Sequence, residues 1–299
     1  MWPPNPRSRR LDSREGVAEQ DLRRQGSTGA SRVLTLHTVG EMTEPFAASE
    51  RLEEQSDAPY GPICDTSVAR AAMVHWWDDL TFLHWRFEPS AVQRLLPDGL
   101  IVDTMDGSAW VGLVPFFLRV GLPGAPSVPW MSRFAETNVR TYVRSRDGAR
   151  GIWFFSLDAA RLGAVVVARS TYRLPYFWSK MAIERSTSTI SYQCRRRWPG
   201  PHGVRSHVLI EVGERFEPDE LTELDHFLTA RWALFSNPRS GLRHALATHE
   251  PWPLHRALPV HVHDELVKAA GLPAPLGEPL VHYSPSVRVR VGWPTKIGR

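Results

Sequence analysis

Between residues 137 and 157 the chain alternates, turns and alternates again, and this stretch constrains the fold more than any other. Residues 137–144 carry the two-residue period of a strand, Arg146-Asp147-Gly148 supplies turn residues, and residues 151–157 return. In the returning strand Ile152, Phe154 and Ser156 face one way and Trp153, Phe155 and Leu157 the other. Apolar residues on both faces place it deep in a sheet or barrel wall.

The rest of the chain extends this pattern. Residues 80–87, 109–115, 183–195, 206–212 and 280–291 read as further strands. Residues 89–96 read as a short helix with Pro89 in its first turn. A second helix is expected from Asp158, as N-cap, to about Thr171. Residues 218–232 place Leu221, Leu224, Phe227, Leu228 and Trp232 at helical spacing, and residues 263–270 suggest a last short helix. Residues 121–130, with three prolines and two glycines, read as a loop. Strands in meander order with few helices give an α+β fold around an antiparallel sheet or barrel.

Residues 1 to about 70 lack this periodicity and are rich in Arg, Glu, Ser, Gly and Pro, with Val33-Leu34-Thr35-Leu36 the one apolar run. They are expected to be a disordered extension, or a gene-model artefact with the true start at Met42 or Met73. Residues 71–299 are expected to form a single domain. The N-terminus has no apolar signal stretch, and no run approaches the roughly 20 apolar residues of a membrane helix. A cytoplasmic protein without a membrane partner is expected. The net charge of +4 is dispersed, with Arg195-Arg196-Arg197 the only basic run, so no nucleic-acid partner is expected. Cys64 and Cys194 read as free thiols.

Two strand faces are chemically ambiguous. Glu136, Asn138, Arg140 and Tyr142 share one face of the 137–144 strand, opposite Val139 and Val143. That polar face is either solvated or the lining of a pocket in which Glu136 is the acid/base and Arg140 grips a carboxylate. Ser188, Ile190, Tyr192, Cys194 and Arg196 likewise share a face that is either surface or wet pocket wall. His249, His255, His261 and His263 cluster late in the chain, but no metal-binding motif accompanies them. Phosphate-loop, serine-elbow and Cys-x-x-Cys signatures are absent from the sequence, and no metal or cofactor is expected.

Several segments together resemble the YqjF-like family of uncharacterised bacterial proteins. They are Asp79-Leu80-Thr81-Phe82-Leu83-His84-Trp85, Leu96-Pro97-Asp98-Gly99-Leu100, Gly107-Ser108-Ala109-Trp110-Val111-Gly112 with Pro115-Phe116, residues 136–143, residues 154–159 and Leu174-Pro175-Tyr176. The resemblance covers about residues 73–299 and implies an acetoacetate decarboxylase-like fold, a mostly antiparallel β-barrel with flanking helices. By comparison with acetoacetate decarboxylase, Glu136 matches a pocket glutamate, Arg169 a kept arginine, and Tyr176 the position of the Schiff-base lysine. A phenol cannot form an imine, and the chain has three lysines, Lys180, Lys268 and Lys296. Lys180 could substitute only if residues 176–180 formed a helical turn, because four strand residues span roughly 13 Å.

The resemblance therefore implies a small-molecule partner, an anionic or carbonyl compound. The chemistry it suggests is lyase, hydratase or isomerase chemistry without a Schiff base. Glu136 would be acid/base, Tyr176 an oxyanion donor, and Arg140 or Arg169 the carboxylate anchor, with Asn138, Tyr142 and Arg196 as further contacts. A non-catalytic binding or sensor module is the alternative, and a filled barrel a third. A homo-oligomer is compatible with all of these.

Overall fold

The computed structural model describes residues 61–64, 66–121, 132–238 and 240–297. The expectations for residues 1–60 and for most of the 121–130 loop lie outside the described residues.

Among the described residues fourteen strands form one sheet. In chain order they are β1 (Met73–Phe87), β2 (Leu100–Val102), β3 (Thr104–Met105), β4 (Ser108–Gly121), β5 (Arg133–Ser145), β6 (Arg150–Ala159) and β7 (Tyr176–Arg185). There follow β8 (Thr189–Trp198), β9 (Arg205–Arg215), β10 (Ala233–Ser236), β11 (Arg243–His249), β12 (His255–Asp264), β13 (Leu280–Val291) and β14 (Thr295–Lys296). The main order is β14-β11-β10-β6-β7-β8-β9-β12-β13-β1-β4-β5-β2. Pairing is antiparallel except where β6 meets β7 and β10. Because β5 also pairs with β6, the hydrogen-bonded order returns on itself.

That return explains the doubly apolar hairpin. β5 lies between β4 and β6, and nearly all its residues are buried on both faces. Solvent exposure of the Glu136 face is thereby excluded. β1 reaches the same interior through a phase change. Met73, His75 and Trp77 line the interior cavity, then Leu80 does, three residues on. Asp79, at φ 46, stands where the register with β4 shifts, and the extra residue restores the inward phase. Its carboxylate accepts from Arg185 at 2.6 Å and Tyr283 at 2.8 Å.

Three expected elements differ. Residues 183–195 are not one strand, because Ser186 to Ser188 turn the chain between β7 and β8, with the Ser186 N–H bonded to the Thr189 carbonyl. The 218–232 helix is interrupted. A 3-10 turn at Pro218–Glu220 ends at extended Leu221, and Thr222 restarts a helix, Glu223–Thr229, through a capping box with Asp225. Asp158 is not an N-cap. It is paired with Thr137 and Phe177 inside the sheet, and the helix Leu162–Thr171 begins after Arg161.

Gly151 is required where β6 meets β10. A Cβ there would lie 2.5 Å from the Ala233 carbonyl oxygen and 2.7 Å from the Phe235 ring. Gly151→Ala is expected to destabilise the protein by about 1–3 kcal/mol, the usual cost of overpacking against backbone that cannot retreat. Urea denaturation would show it as a lower midpoint with an unchanged slope.

Among the described residues no helix is long and apolar enough to cross a membrane.

Candidate functional site

Strand alternation on β5 turns Glu136, Asn138 and Arg140 into a cavity of about 380 Å³. Trp77 from β1, Phe116 and Leu118 from β4, and Trp252 supply apolar wall. The helix Leu162–Thr171 closes one side with Ala164, Val167 and Ala168, and Tyr172 and Tyr176 continue from it.

Glu136 is 3% exposed. Its pKa is raised to about 8, chiefly by burial, with the Tyr176 hydrogen bond lowering it and the nearby Asp158 charge adding to the rise. The Tyr176 hydroxyl donates to Glu136 Oε2 at 3.1 Å. Desolvation and the carboxylate together hold the Tyr176 phenol well above its ordinary value. At neutral pH the pair is therefore mostly an uncharged acid beside an uncharged phenol, with the carboxylate form accessible. That is the protonation range a general acid/base needs.

Arg140 is also buried, and its guanidinium donates through Nη2 to the Leu228 carbonyl at 3.3 Å and to Tyr142 Oη at 3.4 Å. Its Nε has no partner, and its centre stands 5.2 Å from the Phe82 ring. Tyr142 does not line the cavity. It sits behind Arg140, donating to the Leu228 carbonyl at 2.5 Å and lying 2.6 Å from His84 Nε2. With the tyrosine proton so used, His84 Nε2 donates and Nδ1 is left without a partner. Burial, then Arg140 and His282, keeps His84 neutral by holding its pKa well below the ordinary value. Gly112 makes room for that ring, since a Cβ would come within 2.9 Å of it.

Two further expected ligand contacts, besides Tyr142, are used elsewhere. Arg196, deeply buried, donates to Asp158 through Nε at 2.9 Å and Nη2 at 2.6 Å, and Ser179 also donates to Asp158 at 2.7 Å. Its guanidinium lies 3.6 Å from the Phe177 ring centre, and it does not line the cavity. The face it shares with Ile190, Tyr192 and Cys194 is buried core rather than surface or wet wall. Arg169 donates to the Tyr176 carbonyl at 2.7 Å, so it holds the chain at Tyr176 from outside the cavity. Lys180 is exposed on β7 opposite Arg195, and Lys268 and Lys296 are exposed as well. None of the three lines the cavity, and the 176–180 segment is strand rather than helical turn.

Residue-level reading of the sequence missed His75 and Trp77, because the strand was expected to start only at residue 80. It also missed His249 as a cavity residue, although the late histidine cluster marked it. His249 lies between Trp232 and Trp252, at 4.6 and 4.7 Å between ring centres. Burial lowers the pKa of both His75 and His249 to about 4, so both are neutral at pH 7. His261 sits by His207 on the sheet surface, away from His249. Among the described residues no group of three His, Cys, Asp or Glu side chains converges as a metal site.

The large, mostly antiparallel sheet is similar to that of solved acetoacetate decarboxylase-like structures, and the fold is theirs. An acetoacetate decarboxylase-like enzyme from Sphingomonas wittichii RW1 superposes with a TM-score of 0.53 at 16% identity, covering 78% of this chain and 96% of its own. The enduracididine biosynthesis enzyme MppR complexed with pyruvate gives 0.53 at 13% identity, covering 80% and 97%. Acetoacetate decarboxylase from Legionella pneumophila gives 0.51 at 11% identity, covering 83% and 94%. Within that fold the chain belongs to the DUF2071 family of uncharacterized conserved proteins, whose model matches residues 75–288. It is 33% identical over 221 residues to the uncharacterized protein YqjF of Bacillus subtilis strain 168, covering 74% of this chain and 90% of that protein.

Proposed function

We propose that the chain binds a small anionic or carbonyl compound in this cavity and acts on it by acid/base chemistry that uses no lysine. The observation that carries the reading is Glu136, buried at the cavity wall, raised to about pH 8 and hydrogen-bonded by Tyr176. On this reading the returning strand order is a barrel and the cavity is its interior. Glu136 takes or returns a proton next to a carbonyl, as in lyase, hydratase or isomerase reactions. The Tyr176 hydroxyl, which donates to Glu136, swings to the oxygen on which charge develops. Arg140 receives the carboxylate. Arg169 serves by fixing the backbone of Tyr176, and Tyr142 by backing Arg140.

One observation favours a second reading. All three lysines stand outside the cavity, so a chain with this fold could have kept the pocket solely for binding, as a sensor.

A thermal-shift screen of carboxylates and ketones on the full chain tests both readings. A ligand at a hundred times its Kd should stabilise by about 2.7 kcal/mol. For an enzyme, Glu136→Gln should abolish turnover of the hit while its binding persists. Binding without turnover in the native chain supports the sensor. A flat screen across the library would overturn both.

A further inference from the structure

We infer that the cavity takes an elongated amphipathic carboxylic acid, with its carboxylate at Arg140, a second oxygen at Glu136 and Tyr176, and an apolar tail beyond Phe134. This rests on the reading of the cavity as a ligand site, and it names the class of ligand.

The order of residues along β5 carries the inference. Arg140, Asn138, Glu136 and Phe134 follow one another along the cavity wall. On the neighbouring strand β4, Val114 stands opposite Asn138, Phe116 opposite Glu136 and Leu118 opposite Phe134. The wall is thus cationic at one end, carries an acid/base pair in the middle, and is apolar at the other end.

The two polar stations do not touch. Arg140 is engaged by Leu228, Tyr142 and the Phe82 ring, whereas Glu136 is engaged by Tyr176. Their electrostatic neighbours also differ: Arg140 acts on His84 and His249, and Asp158 acts on Glu136. Four strand residues put their backbones roughly 13 Å apart, leaving roughly 6–13 Å to bridge once the side chains lean together. An extended chain advances about 1.2 Å per bond, so a molecule serving both stations needs about five to ten bonds between its carboxylate and its second oxygen-bearing carbon. A short 3-oxo acid reaches one station at a time.

Burial and size agree with this. Arg140 Nε and Asn138 Oδ1 are polar atoms without partners on side chains more than nine-tenths buried, and both residues line the cavity. Both atoms are closed off from solvent, so a ligand pairs with them only after a small shift of the side chain, and the hydrogen bond gained favours that shift. The volume of about 380 Å³ lies in the range of pockets for ligands well beyond four carbons.

Titration calorimetry of the full chain with acetoacetate, decanoate, 3-oxodecanoate and 7-oxodecanoate tests the inference. The 7-oxo acid should bind at least tenfold tighter than the 3-oxo acid and than acetoacetate. Arg140→Gln should weaken every acid at least tenfold. Glu136→Gln should still bind 7-oxodecanoate, but with a smaller advantage over decanoate than the native chain shows. The native-chain series decides the matter even if a variant fails to fold. Tightest binding of acetoacetate, or affinity independent of oxo position, overturns this inference alone. Binding of no acid at all overturns it together with the reading of the cavity as a ligand site.

Discussion

Glu136→Gln is expected to remove most of the loss of stability that the native protein suffers between pH 6.5 and 8. The ordinary glutamate pKa of 4.5 is raised to about 8 in the fold. Between those values the native state holds a proton that the unfolded chain has released, so stability falls as pH rises. The slope is about 1.4 kcal/mol per pH unit, and it flattens above pH 8 once both states are ionised. His75 and His249 act in the opposite sense lower down. Their pKa values are lowered to about 4, so they add stability as pH rises from there to 6.5 and nothing further above it. The native protein should therefore be most stable near pH 6.5. Glutamine cannot ionise, and by pH 9 the variant should exceed the native protein by about 5 kcal/mol. Guanidinium unfolding at half-unit steps from pH 6 to 9 measures the difference. Parallel profiles for the two proteins would show that Glu136 is ionised in the fold and would remove the acid/base proposal.

Asp158→Ala is expected to be the most damaging single substitution at the site, although Asp158 does not line the cavity. It is fully buried and takes two hydrogen bonds from the equally buried Arg196 and one from Ser179. Removing one member of a buried pair strands the other charge, at a cost of about 3–5 kcal/mol. A matched apolar replacement of both partners, Asp158→Leu with Arg196→Met, should recover much of that loss. If the single and double variants are equally unstable, the cost lies in packing and not in the stranded guanidinium. The milder Asp158→Asn carries a second expectation. Asp158 helps raise the Glu136 pKa, so neutralising it should end the falling limb of the stability profile at a lower pH and make the total loss smaller.

The hairpin of β5 and β6 is legible in the sequence because strand alternation is local: each side chain's face follows from its neighbours. For the same reason β13 appears at residues 280–291 as read. The polar row Glu136, Asn138, Arg140 is legible as a row. The beginning of β1 is not, because the Asp79 bulge breaks the two-residue period and hides His75 and Trp77. Asp158 has the chemistry of an N-cap next to a helix, and only its pairing with β5 and β7 keeps it in the sheet. The late histidines read as one cluster, yet His249 faces the cavity while His261 lies on the sheet surface.

By itself the sequence determined that this chain is built of alternating strands, that one strand carries Glu136 and Arg140 on a single face, and that any mechanism requiring a lysine has three candidates. Tertiary structure alone decided which polar residues meet empty space. Arg140 and Arg196 are both arginines on alternating strands, and nothing local in the sequence says which of them meets a carboxylate. Arg196 is neutralised by Asp158, 38 residues away, while Arg140 lines the cavity and its buried Nε has no partner. A two-residue period fixes the face of a side chain, but what that face meets depends on strands paired across long separations, and no local pattern encodes it.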